Sequence, residues 1–332
     1  MRRSFPAVRR IAFLLLLVAC GSRTGLFVDD DDFTDIPVQD AGPDARRDGG
    51  RDASRDASDL EDAPPLLDVR PPIDVDQRDC PDAEAQLVYT ITDSHELQSF
   101  NPDTGQFRRI GKIACPAPSS ATPFSMAVDR RGIAYILFTN EQLFRVSTAT
   151  AACIATPYTP RQSNYGLFGM GFATNSVGPT ETLYVAGAEQ AWDGKPPGAR
   201  GLARITPGTF ELTPVGDFFP RIESAELTGT GEGRLFAFYG KQGASLPSYI
   251  GEIDPNTGQV IGERRFANVD RGRGWAFAYW GGDFYMFHAP GTGNNASTRV
   301  TRWRPSDDSV TQVATTPLRI VGAGVSTCAP QH

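Results

Sequence analysis

A single pattern recurs five times between Leu97 and Val310, and it restricts the fold more than any other feature of the chain. The copies begin at Leu97, Leu143, Leu202, Ile250 and Val300, so the starts lie 46, 59, 48 and 50 residues apart. Each copy reads as a short apolar strand, a turn and a second strand. The turns include Asn101-Pro102-Asp103-Thr104-Gly105 and Asp254-Pro255-Asn256-Thr257-Gly258. Proline suits the second position of a type I turn, and a glycine three residues later takes the left-handed conformation that closes a bulged hairpin. A self-similar unit of about 50 residues points to a repeat architecture, in which each unit buries its apolar faces against its neighbours.

Two further signals keep step with the hairpins. An aromatic residue precedes each one, at Tyr89, Tyr135, Tyr184, Phe236 and Tyr285, inside strand-like apolar runs such as residues 134–138. Before most of these lies a run of small apolar residues: 125–128, 169–172, 225–228 and 275–278, with a fifth at 321–325. Gly132, Gly233 and Gly282 would turn the chain between the small-residue run and the aromatic strand. The order per unit is therefore inner strand, aromatic strand, hairpin strand, outer strand. Small residues fit the inner strand, where sheets crowd around an axis. The first unit lacks an inner strand, and the run 321–325 is an inner strand without a unit. Joining them predicts an all-β, five-bladed β-propeller whose last inner strand completes the first blade. A β-sandwich would not repeat at this near-constant period, and a β-helix repeats at about half of it.

The N-terminal part obeys different rules. Arg2, Arg3, Arg9 and Arg10 precede an apolar run from Ile11 to Val18, too short for a spanning helix, followed by Leu17-Val18-Ala19-Cys20-Gly21. This reads as a signal peptide over 1–19. Residues 20–83 hold Asp29-Asp30-Asp31-Asp32, Asp-Ala and Arg-Asp units, and prolines at 64, 65, 71 and 72. Their 18 acids and 7 arginines give −11; with +4 from the four arginines of residues 1–19 this accounts for the whole net charge of −7, and residues 84–332 are neutral. So acidic and apolar-poor a segment is expected to be a disordered tether, spanning about 45 Å as a flexible coil of ~60 residues. The neutral domain over 84–332 lacks the basic face that nucleic-acid binding needs.

The box ending at Cys20 resembles the bacterial lipoprotein signal, in which the cysteine thiol carries the lipid. Two or more acyl chains give stable attachment, so the resemblance implies a lipid-anchored protein of the bacterial cell envelope, with Cys20 as the lipidation site and the membrane as a partner. Gly21 is not the aspartate that retains such proteins at the inner membrane, which favours the outer one. The hairpin consensus is similar to that of quinoprotein-like and YVTN-type bacterial propellers. Lipobox, tether and propeller together resemble lipoproteins of myxobacteria, mostly without assigned activity. These motifs are structural and bring no chemistry with them.

Four cysteines remain after Cys20: Cys80, Cys115, Cys153 and Cys328. In an exported chain they suggest two disulfides, with three possible connectivities. Closure of the ring places Cys80 and Cys328 on one face near the seam. Cys115–Cys153 then follows only by elimination, since the strand order puts those two nearer opposite ends of their blades. No C-x-x-C pair supports a metal site.

Loops leaving the aromatic strands and loops entering the inner strands share one propeller face. From aromatic residue to hairpin start the chain takes 8 residues in the first two units, then 18, 14 and 15. The added length at 187–201, 240–249 and 288–298 is concentrated in three successive blades, and loops of this kind carry binding. Candidate residues for a binding face are His95, Trp192, Lys195, Tyr249, His288, Arg271 and Arg273. His95 and His288 fall in blades that become neighbours on closure and could form a metal or acid–base site beside Glu96. Arg221, Glu223, Glu226, Arg271 and Arg273 flank inner strands and could line the central mouth as a polar rim. No phosphate loop, H-E-x-x-H or G-x-S-x-G is present, and no cofactor is expected. The reading that follows is a binding or scaffold module for a protein, glycan or small ligand. The alternative is a propeller enzyme of the lyase or lactone hydrolase type with its site at the mouth.

Overall fold

In the computed structural model, Cys80 and residues 86–175, 179–188, 200–241, 245–291 and 297–332 are described. The signal peptide, Cys20, the tether up to residue 79, Trp192 and Lys195 lie outside the described residues. The chain forms β1 (Val88–Thr92), β2 (Glu96–Asn101) and β3 (Gln106–Lys112), then β4 (Pro123–Val128), β5 (Ile133–Phe138), β6 (Leu143–Ser147) and β7 (Cys153–Ala155). There follow β8 (Phe168–Thr174), β9 (Glu181–Gly187), β10 (Gly201–Ile205) and β11 (Leu212–Gly216), then β12 (Ala225–Gly229), β13 (Leu235–Gly240), β14 (Ser248–Ile253) and β15 (Val260–Phe266). The last are β16 (Trp275–Trp280), β17 (Asp283–His288), β18 (Thr298–Arg304), β19 (Ser309–Thr316) and β20 (Ile320–Val325).

These strands pair into five antiparallel four-stranded sheets, four of them sequential in the chain. The fifth has the order β20-β1-β2-β3, with Val88 opposite Val325 and Ile91 opposite Gly322. The last strand thus completes the first blade, and the fold is a five-bladed β-propeller. The small residues act where they were expected. A Cβ on Gly169 of β8 would stand 2.0 Å from the carbonyl oxygen of Ala225 in β12, and one on Gly322 of β20 would meet the backbone of Met126 in β4 at 2.8 Å. Adjacent inner strands therefore touch backbone to backbone.

Aromatic side chains fill the wedges between sheets. Tyr135 packs edge-on against Phe172 of the next blade, Phe236 against Phe284, and Phe100 against Phe287 across the seam. Four of the five aromatic-strand residues are buried, and Tyr184 is half-buried. Burying each such ring fully contributes roughly 1.5–3 kcal/mol.

The hairpin turns share one conformation without sharing a residue. Gly105, Ala151, Phe210, Gly258 and Asp308 occupy the same place in the five copies, and all have positive φ, between 54° and 81°. In the first four, the N–H of this residue bonds the carbonyl four residues back, at 2.8–2.9 Å. Each tip also reaches the preceding blade: Gly105 lies against Val313, Ala151 against Gly111, Gly258 against Gly216, and Asp308 pairs with Arg264.

This inter-blade contact bears on one of the two disulfides, Cys115–Cys153. Cys80–Cys328 joins residues 248 apart at the seam, and Cys115–Cys153 joins the link between blades one and two to the start of β7. The strand order alone had put Cys115 and Cys153 toward opposite ends of their blades. Strand twist accumulates outward in a sheet, and it swings the outer end of one blade onto the hairpin tip of the next.

Candidate functional site: a central cup closed at one end

Inner strands β4, β12, β16 and β20 open at one face onto a cavity of about 390 Å³. Its lining comes from the upper ends of those strands and from the loops predicted to share the ligand face, including Asp93, Thr139, Ser245 and the run Arg271–Trp275. Across the channel, Ser125 Oγ of β4 donates to Glu226 Oε2 of β12 at 2.7 Å. Strand β8 lies between β4 and β12 in the ring, so this bond crosses the axis. Burial pushes the Glu226 carboxyl well above the usual range, against the hydrogen bonds from Ser125 and the Met170 backbone.

The opposite end is occupied by the segment 326–332 that follows β20. Its contacts reach the other four blades: Thr327 donates to Glu181 at 2.9 Å, Cys328 lies 3.6 Å from the Arg130 carbonyl, the Gly231 N–H donates to Gln331, and the Gly281 N–H to Pro330. Ser326, Thr327, Cys328 and Ala329 are buried. The channel is consequently a cup, open where the ligand loops are and sealed where Cys328 holds Cys80.

The wall of the cup carries a braced loop. Arg271, Gly272, Arg273 and Gly274 lead into β16; the Arg273 N–H donates to the Ala289 carbonyl at 3.1 Å and the Ala289 N–H to Gly274 at 2.8 Å. Gly272 has φ of 59°, and a Cβ there would stand 1.7 Å from the Ala289 oxygen, so only glycine fits. Asp270 Oδ1 accepts the Gly272 N–H at 2.9 Å. Arg271 is buried with its guanidinium 4.8 Å from the Trp275 ring centroid, and Arg273 is exposed. Burial lowers the Arg271 pKa to about 10, leaving it charged, and Asp270 and Glu223 oppose the shift. Arg319 Nε bonds Asp93 Oδ2 at 2.6 Å on the same rim.

The histidines do not share a site role in this geometry. His288 is buried, with Nδ1 2.8 Å from the Asp270 carbonyl and Nε2 2.9 Å from Thr301 Oγ1. Burial lowers its pKa, so Nδ1–H donates to Asp270 and Nε2 accepts from Thr301. It braces the arginine loop from behind. His95 occupies the β1–β2 turn with φ of 71°, its ring 5.7 Å from Phe138. Glu96 is held by Arg109, not by a histidine. Tyr249 stacks on Tyr239 under Lys241, away from the cup lining. Among the described residues no cluster of three metal-ligating side chains occurs, and no helix is long and apolar enough to cross a membrane. Sequence reasoning put Arg271, Arg273 and Glu226 at the mouth, where they line the cup. It did not single out Trp275, Ser125 or the Asp93–Arg319 pair, which no motif marks.

No known protein family and no curated protein matches the chain. Solved structures do align with it over most of its length. A chain of the nidogen/laminin complex matches with 10% identity and a TM-score of 0.43, covering 72% of this chain and 97% of that one. A protein of unknown function from Bacteroides caccae matches with 12% identity and a TM-score of 0.37, covering 71% and 84%. The extracellular domain of a one-component system from B. thetaiotaomicron matches with 14% identity and a TM-score of 0.34, covering 73% of this chain and 29% of that one. The assignment of the fold rests on the strand pairing.

Proposed function

We propose that this chain is a lipid-anchored binding module of the bacterial cell envelope, whose ligand enters the central cup. The observation that carries this reading is the cup itself: the channel is sealed at the face where Cys80 joins Cys328 and open at the face built from ligand loops. A cavity of this size, with a few polar groups on an apolar wall, suits a small ligand or the tip of a larger one. The catalytic alternative would draw on His95 and His288. His288 has both ring nitrogens engaged inside the fold, so binding is the better-supported reading.

Two measurements test the proposal. Cys20→Ser should move the protein from the membrane fraction to the soluble one with its thermal unfolding unchanged; retention on the membrane would overturn the anchor. Ser224→Trp places a large ring in the cup lining and should abolish binding of any ligand found by thermal-shift screening. Ligands unaffected by that substitution would remove the cup as the site.

A further inference from the structure

The cup wall also selects a class of ligand, a step that rests on the binding reading above. We propose that the cup takes an uncharged saccharide ring, with the carboxylates of Asp93 and Glu223 as acceptors for its hydroxyl groups and the apolar wall of Pro123, Phe124 and Val321 as the platform for its carbon face.

Charge disfavours an ionic ligand. Arg271, Arg273 and Arg319 share the lining with Asp93, Glu223 and Glu226, and Asp270 adjoins the arginine loop. Arg319 Nε bonds Asp93 Oδ2 at 2.6 Å, and Asp270 and Glu223 both act electrostatically on Arg271. An ion of either sign entering this wall meets its own charge as soon as the opposite one, and it gives up its hydration to do so. A ligand with hydroxyl groups and no charge loses less water, and its oxygens both donate and accept.

Hydrogen-bond capacity is the second observation. Both Arg319 nitrogens that reach Asp93 bond the same oxygen, Oδ2, and Oδ1 has no hydrogen-bond partner among the described residues. Glu223, half-buried on the same lining, makes no hydrogen bond through its side chain among them. Carboxylate oxygens accept and do not donate, so they call for O–H or N–H groups on the ligand, and the neighbouring arginines disfavour a cationic amine. Thr139 adds a donor: its Oγ1 accepts the Thr122 N–H at 3.0 Å, which leaves the hydroxyl proton for a ligand oxygen. Position is the third. Asp93 follows β1, whose blade takes β20 as its inner strand, Glu223 precedes β12, and the arginine loop leading into β16 stands between them in the ring. The polar groups thus form an arc over the first, fifth and fourth blades. Pro123 and Phe124 of β4, with Val321 of β20, form the side that faces Glu223 across the axis. A ring with hydroxyl groups on its edge and C–H groups on its face matches an arc of acceptors set against an apolar wall.

The test is calorimetric titration of the full-length chain, in a detergent without a sugar headgroup, with glucose, galactose and mannose. Glucuronate and glucosamine serve as their anionic and cationic counterparts, the latter at about pH 6 where its amine is charged. At least one neutral sugar should bind at millimolar concentration or below, and both charged sugars should bind more weakly. Glu223→Gln replaces one acceptor oxygen with a donor and should weaken that sugar about tenfold, the loss of one charge-assisted hydrogen bond. Asp93→Asn is the second variant, with its melting temperature measured in parallel because Asp93 also holds Arg319. Failure of all three neutral sugars to bind, an equal or tighter hold on either charged sugar, or affinities untouched by both substitutions would overturn the proposal. If a charged sugar binds more tightly than the neutral ones and Ser224→Trp blocks it, the cup remains the binding site and only the claim of an uncharged ligand falls. If the neutral sugars bind and Ser224→Trp leaves them unaffected, the cup is not their site and both readings fall.

Discussion

Glu181 shows how a single side chain can report on the sealed end of the channel. Its carboxylate accepts from the Arg130 N–H at 2.8 Å and from Thr327 at 2.9 Å, so it holds the closing segment 326–332 to the second and third blades. Burial, with a smaller push from Asp129, raises its pKa from 4.5 to about 7, against the two hydrogen bonds. The sign of the pH effect follows from linkage. Below pH 4.5 the group is protonated in both folded and unfolded chains; between 4.5 and 7 the unfolded chain releases the proton first, so stability falls as pH rises, and above 7 it levels off. Glu181→Gln should flatten this slope in urea melts taken from pH 4.5 to 7. An unchanged slope would assign it to other groups. His288 is the complementary case: a buried imidazole, held neutral, whose value lies in where it fixes Asp270. His288→Ala should leave the part-buried Asp270 carbonyl and the buried Thr301 hydroxyl without this partner and cost about 2–6 kcal/mol in chemical denaturation, each stranded group contributing roughly 1–3 kcal/mol.

Among the elements, the hairpins show what a repeat specifies and what it leaves free. The left-handed position at the tip was readable at Gly105 and Gly258, where glycine announces it, and was hidden at Ala151, Phe210 and Asp308, where contacts with the preceding blade hold an L-residue in the same conformation. Gly105→Ala should therefore destabilise by about 1–2 kcal/mol in equilibrium unfolding, since it adds the left-handed penalty to a Cβ placed 2.9 Å from the Val313 carbonyl. A neutral result would mean that tip and neighbour relax together. The inner strands were legible for a local reason: Gly169, Gly171, Gly322 and Gly324 spell crowding into the sequence itself. The bond from Ser125 to Glu226 and the path of residues 326–332 were not, because each joins parts of the chain that meet only across the ring, and the pairing of Cys115 with Cys153 was reached by elimination alone. Arg271 and Arg273 fell between these cases. Their place beside an inner strand followed from periodicity, while the brace that aims them came only from the packing of β17.

For the molecule as a whole, the two disulfides close loops of different size, 248 and 38 residues. Loop-closure entropy ranks them: losing the Cys80–Cys328 bond should cost about 1–2 kcal/mol more than losing Cys115–Cys153, within the usual 2–5 kcal/mol for each. Denaturation of Cys80→Ser/Cys328→Ser beside Cys115→Ser/Cys153→Ser checks the order, and the reverse order would show that a ring already fastened by β20 gains little from the seam bond. The same closure by β20 has a consequence for biosynthesis. A nascent chain that has not yet delivered residue 320 leaves β1 as an open edge, so four blades can assemble while the fifth waits for its missing strand. Completion of that blade is thereby postponed until residue 320 has been made, and any product terminated before it carries an exposed β-edge, a template for unwanted pairing.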